Sequence, residues 1–346
     1  MVLRVLHLVG SAVSEFYCDL SRLYAQDCLE STANPALYEF HIAYITPDRQ
    51  WRFPADLSRE SIASSSPMSV VEAVQTLMAL QIDVMVPQMF CIPGMTSYRA
   101  LFDLLDIPYL GNTPDVMALT AHKAKTKAIV AAAGVNVPLG ELLCLGDKPA
   151  LAEPASMTID PPAVIKPVNA DNSLGVALVR SHADYDLALR TAFTYADEVL
   201  VETFIELGRE VRCGILVRDG ELICLPLEEY QMDRDLQPIR RYEDKLGQNQ
   251  NGDLQMVAKN NTKAWIVDPE DPMTARVWDA AKKCHIALGC RHYSLFDFRI
   301  DPSGQPWFLE AGLYCSFART SVISMMAKAA DMPLEKLFEI ALNNSL

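Results

Sequence analysis

Two acids stand inside apolar runs near the C-terminal end of this 346-residue chain: Asp297 in SLFDFRI and Glu310 in PWFLEAG. A carboxylate within a buried strand is unfavourable unless a cation compensates it. The two runs read as strands of a hairpin around DPSG. Two carboxylates on adjacent antiparallel strands suit Mg²⁺, which takes one or two protein carboxylates and completes its shell with phosphate oxygens and water. The alternative is a buried acid paired with an arginine such as Arg299. Lys166 closes the apolar run AVIKP directly before Asp171, Asn172, Ser173 and Gly175. A strand-end cation with the backbone N–H groups of a small-residue turn can hold a phosphate, although such a lysine also commonly snorkels to water. Lys123 in AHKAKTKA reads as a second phosphate contact or, as the commoner case, as part of a solvated helix face. Lys245 in RRYEDKLG is placed to close over a transferring phosphoryl group if the segment it opens is a lid. In VLVETFIELGRE the strand running into Glu202 offers backbone donors and acceptors for an adenine, with Glu210 beyond it for ribose hydroxyls. An ordinary sheet strand with solvent-facing acids fits the same spacing. The histidines form no H-E-x-x-H cluster, and neither G-x-S-x-G nor a Walker A pattern occurs, so hydrolase and P-loop chemistries are disfavoured.

These residues need a scaffold, and composition bounds it. Lys and Arg number 30 against 44 Asp and Glu, a formal net charge of −14. That balance argues against nucleic acid or an anionic membrane as partner, so any polyphosphate must be gripped by a few placed cations. The length exceeds what one core usually supports, which predicts two or three domains sharing clefts. Nine cysteines, an odd number with no C-x-x-C pair, read as reduced thiols of a cytoplasmic protein. The N-terminal MVLRVLHLVGS, interrupted by Arg4 and His7, reads as a first buried strand and not as a leader. No run approaches the roughly 20 apolar residues of a membrane span, so a soluble protein is expected.

Strand and helix patterns alternate from Leu3 to Gly111: LRVLHLV, a helix from Leu20 to Leu29, YEFHIAYI, a helix from Ser69 to Leu80, VMVP, a helix from Ser97 to Leu105, and PYLG. This predicts a parallel sheet covered by helices. One Lys- and Ala-rich helix is expected from Thr113 to a stop at Gly134, followed by a loop through Pro149, Pro154, Pro161 and Pro162. Strands AVIKP and VALVRS, a helix from Ala183 to Ala196, and strand EVLVETF come next. VRCGILV and ELICLPL form a predicted hairpin around Asp219-Gly220, since both turn positions tolerate positive φ. Residues 231–263 are polar and read as a lid. A helix from Pro272 to Leu288, the acidic hairpin and two terminal helices complete the chain.

In this order, HKAKTKAIVAAAGVNVP, VIKPVNADNSLGV, EVLVETFIELGREV, YEDK, LGCRHYSLFDFRIDPSGQPWFLEA and the later SV-x-x-MAKAA stretch resemble an ATP-grasp ligase of the D-alanine-D-alanine ligase group. The resemblance implies an α/β fold: a parallel-sheet preATP-grasp domain (1–114), then two α+β subdomains (115–207 and 208–346) clasping ATP, with 231–263 as lid. It implies ATP and two Mg²⁺ ions, or Mn²⁺ in their place, as cofactors. Lys123, Lys166 and Ser173 would contact ATP phosphates, Glu202, Thr203, Phe204 and Ile205 form the adenine hinge, Glu210 hold the ribose and Lys245 the γ-phosphate. Asp297 and Glu310 would hold metal, and Lys245 and Ser316 act in catalysis. A homodimer is also expected.

Departures from the group fall on its first-substrate pocket. Gly312 stands where a third metal ligand, Asn, is expected. Leu295 replaces an Arg two residues before the metal Asp, and QMFCIPGMTSYR, with Met89 near a His position, replaces HGxxGEDG. Ser321, at the place that receives the second amino acid's carboxylate, is kept. Together with FYCDLSRLYAQDCL, PQMFCIPGMTSYRALFDLL and WFLEAGLYCSFA, the chain resembles cyanobacterial ligases that join an amino acid to mycosporine-glycine. This implies serine, threonine or glycine as amine, mycosporine-glycine as acceptor and an imine-linked mycosporine-like amino acid as product. A D-alanine-D-alanine ligase, or another carboxylate-amine ligase, is the alternative; a non-catalytic nucleotide-binding relic is disfavoured, because both carboxylates and all three lysines persist. Glu15, Phe90, Tyr314 and Arg319 are acceptor candidates by position.

Overall fold

The computed structural model describes residues 2–146, 158–170, 173–240 and 263–346, and the short backbone segments 246–248 and 254–256. The first sheet has the order β3-β2-β1-β4, formed by β1 (Leu3–Gly10), β2 (Tyr38–Ile45), β3 (Trp51–Arg52) and β4 (Val84–Pro87). β1 runs parallel to β2 and β4. The run LRVLHLVG is indeed the first buried strand, with Val5, Leu6, Leu8 and Val9 fully enclosed. PYLG is not a strand: Tyr109 makes only an isolated bridge to Met85. Helices α1 (Glu15–Thr32), α2 (Arg59–Ser64), α3 (Val70–Leu80), α4 (Ile92–Met95) and α5 (Ser97–Leu104) accompany this sheet, and Ala73, Leu77 and Phe102 share a core with its strands. α3 starts with a capping box between Ser69 and Glu72.

The single helix expected up to Gly134 is two: α6 (Pro114–Ala121) and α7 (Lys123–Ala132). The break lies at His122, which is extended (φ −100°, ψ 93°) and whose ring accepts from Lys125 N–H at the start of α7. Lys123 N–H bonds Val168 O at 3.1 Å, so a tertiary contact takes the amide that a continuous helix would use. Both halves retain high helix propensity, but propensity is a weak prior against such a bond.

The second sheet, β5-β8-β6-β7, comprises β5 (Gly140–Cys144), β6 (Ala163–Pro167), β7 (Ala177–Val179) and β8 (Glu198–Thr203), with α8 (Tyr185–Phe193) packed on it. The third is antiparallel and runs β14-β11-β9-β15-β16, with β10 paired to β9. Its strands are β9 (Arg209–Arg218), β10 (Glu221–Cys224), β11 (Glu228–Tyr230), β14 (Ala264–Ile266), β15 (Tyr293–Ile300) and β16 (Pro306–Ala311); β12 (Leu246–Gln248) and β13 (Leu254–Met256) pair separately. The β9–β10 turn places Asp219 (φ 55°) and Gly220 (φ 79°) in the left-handed region, as a two-residue hairpin turn requires. Helices α9 (Thr274–Ala287), α10 (Val322–Ala329) and α11 (Leu334–Asn343) follow in chain order. No helix among the described residues is long and apolar enough to cross a membrane.

Candidate active site

Strand alternation builds the centre of the site. On β15 and β9, Phe296, Phe298, Ile300, Val211, Cys213 and Ile215 turn into one core with α9 residues Val277, Ala281 and Cys284. The residues between them, Leu295, Asp297 and Arg299, pair across the ladder with Gly214, Arg212 and Glu210 and so lie on the opposite face. Asp297 also faces Glu310 across β15 and β16, next to a register shift at Asp297/Phe298. The two acids singled out from the sequence are therefore cross-strand partners.

The arginine expected beside Asp297 is a different one. Arg212 grips Asp297 with two bonds, Nε to Oδ1 at 2.6 Å and Nη2 to Oδ2 at 3.1 Å, and Arg240 lies 3.9 Å from Oδ2. Arg240 stacks over the Tyr230 ring at 3.6 Å, and Tyr230 donates its hydroxyl to Glu228. Arg299 binds Glu210 instead (2.7 Å), and donates to the carbonyls of Ile205 and Pro238. Burial raises the Asp297 carboxyl, Arg212 opposes it, and repulsion from Glu310 raises it further; the net direction is up.

Lys123 joins this centre to the second sheet. The expectation of a solvated helix face fails for it: Lys123 is buried, donates to Ala170 O at 2.7 Å and stands 3.8 Å from Glu310 Oε2. Ala170 belongs to the turn after β6. Beyond it Ser173 (φ 61°) and Gly175 (φ 68°) adopt left-handed backbone. A Cβ at Gly175 would lie 2.7 Å from Tyr195 and 2.8 Å from Pro167, so glycine is required there. Ser173 to Leu178, Arg180, Tyr195, Asp235, Leu236, Pro238 and Ile239 line an open cleft of about 620 Å³, a size typical of small-ligand sites. Asp171, Asn172 and Lys245, with residues 241–245, 249–253 and 257–262 of the predicted lid, lie outside the described residues.

Glu202 is neither solvent-facing nor open to a ligand through its side chain. It is buried on β8 with Lys166 Nζ 2.6 Å from Oε2 and Lys127 Nζ on Oε1. Lys166 accordingly does not snorkel to water. Lys127 was not anticipated, although its spacing was a signal: it lies four residues after Lys123, on the same helical face. Past Glu202, Thr203 N–H bonds Leu139 O and Phe204 N–H bonds Pro162 O. These hinge amides tie strands together, and the Ile205 carbonyl is held by Arg299. Glu210, meanwhile, is already neutralised by Arg299.

Around the expected acceptor position three rings form a chain: Tyr24–Phe90 at 5.3 Å and Phe90–Tyr314 at 5.8 Å between centroids. The Arg212 charge acts on Tyr24, which ties this wall to the Asp297 centre. Tyr24 had no distinctive sequence signal. Met89 is enclosed in the first sheet's apolar core, and Leu295 packs against apolar neighbours. Glu15 opens α1 on the surface. Arg319 is held by Asp27 and Glu30 of α1. Ser321 sits at the N-terminal end of α10. The buried Ser316 offers its carbonyl to Gln88 Nε2 at 3.0 Å.

No group of three or more metal-binding side chains occurs among the described residues. Asp297 and Glu310 nevertheless fit Mg²⁺, whose remaining positions water and phosphate oxygens fill. Burial and the neighbouring Glu310 charge together raise the Asp297 carboxyl, although Arg212, Arg240 and Lys123 all lie beside the pair.

Residues 132–343 match the family described as D-ala D-ala ligase C-terminus. D-alanine–D-alanine ligases of Citrifermentans bemidjiense (31% identical, covering 70% of this chain and 71% of theirs) and Halalkalibacterium halodurans (30%; 72% and 76%) are relatives. The chain belongs to the D-alanine–D-alanine ligase family. It is an ATP-dependent C–N ligase of the ATP-grasp class. The fold of this ligase agrees with that of the VanG D-Ala:D-Ser ligase from Enterococcus faecalis (TM-score 0.80, 22% identity, all of both chains). It also matches the D-alanine–D-alanine ligase from Bacillus anthracis solved with ATP (TM-score 0.72, 20% identity, 99% and 97% covered).

Proposed function

We propose that this ligase transfers the γ-phosphoryl group of ATP to an acceptor oxygen and then joins the activated carbon to the amine of a small amino acid, releasing ADP and phosphate. The observation that carries this reading is the meeting of Lys123, Glu310 and Asp297 beside the turn that opens onto the 620 Å³ cleft. Lys123 and Lys166 hold the phosphates, Ser173 and its neighbours cover them, and the segment 202–205 borders the base, with Glu210 near the ribose. Asp297 and Glu310 would hold Mg²⁺, which spreads developing phosphate charge when bound. Catalysis rests on positioning and electrostatics, so the reaction needs no side-chain nucleophile. Ser321, at a helix N-terminus, orients the amino acid's carboxylate.

The acceptor has two readings. The relatives' names favour D-alanine, giving a dipeptide, and nothing in the comparisons concerns mycosporine-glycine. The aromatic wall of Tyr24, Phe90 and Tyr314, with Leu295 and Met89 where the group has Arg and His, favours a flat conjugated ring such as mycosporine-glycine. The amine of serine, threonine or glycine would then displace phosphate from the activated ring carbon, leaving an imine. Mass spectrometry of products formed from ATP, Mg²⁺ and either D-alanine or mycosporine-glycine with mixed amino acids decides between them. Phosphate release and dipeptide with D-alanine alone would remove the mycosporine reading.

A further inference from the structure

Two lysines compete for one buried carboxylate in the second sheet. Lys127 (α7), Lys166 (β6) and Glu202 (β8) have side chains only 6%, 10% and 3% exposed. Both cations touch Glu202, one on each oxygen, so with both lysines protonated the triad holds one positive charge more than its single acid balances. On α7 itself Lys123 turns to Ala170 O and Glu310, and His122 at the helix start turns to Glu198, at the far end of β8. Lys166 on β6 and Glu202 on β8 are the principal charges that act on Lys127. A structural ion pair needs one lysine; the second is surplus until Lys166 is needed elsewhere.

We propose that Lys127 is a positioning residue that frees Lys166 for the nucleotide: on binding, Lys166 leaves Glu202 for a phosphate oxygen and Lys127 remains as the counter-ion of Glu202. The inference rests on the proposed place of Lys166 at the phosphates. It has a measurable proton balance. Burial first, and then the Lys166 charge, lower the Lys127 pKa to about 7 while Glu202 opposes them. When a phosphate neutralises Lys166, that repulsion falls and Glu202 attracts Lys127 alone, so its pKa rises. Above pH 7 the neutral Lys127 amine then takes a proton from solvent as nucleotide binds. Below that it already carries the proton and no uptake remains.

The test is calorimetry of a non-hydrolysable ATP analogue with Mg²⁺, titrated into the full chain in buffers of different ionisation enthalpy. At pH 8 the wild type takes up most of one proton per nucleotide, and at pH 6 almost none. Lys127→Arg, whose guanidinium stays charged, keeps the affinity and loses the uptake. In Lys127→Met, Glu202 retains Lys166, and KM for ATP rises about ten-fold or more while kcat changes little. Adding Glu202→Gln to Lys127→Met releases Lys166 and restores KM. Unchanged uptake in Lys127→Arg, or an unchanged KM in Lys127→Met, overturns the proposal while leaving the site intact. Unchanged nucleotide affinity in Lys166→Met overturns the site reading and, with it, this inference.

Discussion

Glu202 and Asp297 occupy comparable places: each is buried on an inner strand of an antiparallel sheet and each faces two cations. Their electrostatics nevertheless run in opposite directions. At Glu202 burial raises the carboxyl, but Lys127 and Lys166 overcome it and hold it below its ordinary range. At Asp297 burial wins, because Arg212 must also offset the charge of Glu310. The first acid faces two lysines with no second acid beside it, whereas the second shares its cations with Glu310. The partners differ to match: lysines titrate and can be exchanged, whereas arginine stays charged and holds a carboxylate by a two-pronged geometry. A buried acid with two cations is thus held below its ordinary range in one sheet and above it in the other, where we propose the reaction centre.

The sharpest way to break this contrast is to remove each acid and read activity and stability separately. Asp297→Asn is expected to lower phosphate release at saturating substrates by roughly 10²–10³-fold with a folded circular-dichroism spectrum. Near-normal turnover would remove Asp297 from the reaction centre. Glu202→Gln leaves two buried lysines without an acid and should destabilise the protein by about 3 kcal/mol or more at pH 6, read from urea midpoints. An unshifted midpoint would show that the triad is no brace.

Acid titration in EDTA sharpens the same contrast, because the linkage signs differ. Glu202 contributes its stability above its ordinary value of 4.5 and loses it as pH falls through its depressed folded pKa, so the gap between wild type and Glu202→Gln closes on acidification. Asp297 accepts a proton in the fold before the unfolded chain does, so wild type gains on Asp297→Asn as pH falls toward 3.8. Parallel curves for the two variants would refute the distinction. The smallest effect expected is at the ring wall. Phe90→Ala loses two ring contacts, each ~0.5–1.5 kcal/mol, and should raise the acceptor KM several-fold while leaving the KM for ATP alone.

Much of this arrangement was legible in the residue pattern. The strand acids, the hairpin turns and the strand–helix alternation follow from periods of two and 3.6 residues, which are local properties. The partners were not. Arg299 and Arg212 are equally plausible mates for Asp297 in the sequence, and only the β9–β15 register sets Arg212 opposite Asp297 and Glu210 opposite Arg299. Likewise K-A-K-T-K places Lys123 and Lys127 on one helical face and Lys125 on another, but not which face meets the sheet. Tyr24 and Phe90 lie 66 positions apart along the chain, and no local pattern announces their contact.

The sequence by itself determined the chemical inventory: two strand acids, a lysine before a small-residue turn, another on the helix ahead of it, and too little overall positive charge to bind polyanions except at a placed site. It also determined most of the element types, PYLG being an exception, because propensity and periodicity act over a few residues. Only the tertiary structure decided which cation neutralises which acid, where the expected long helix breaks, and that Glu202 is buried between two lysines. Those outcomes depend on register, burial and local dielectric, which arise only when segments distant in the chain share one interior.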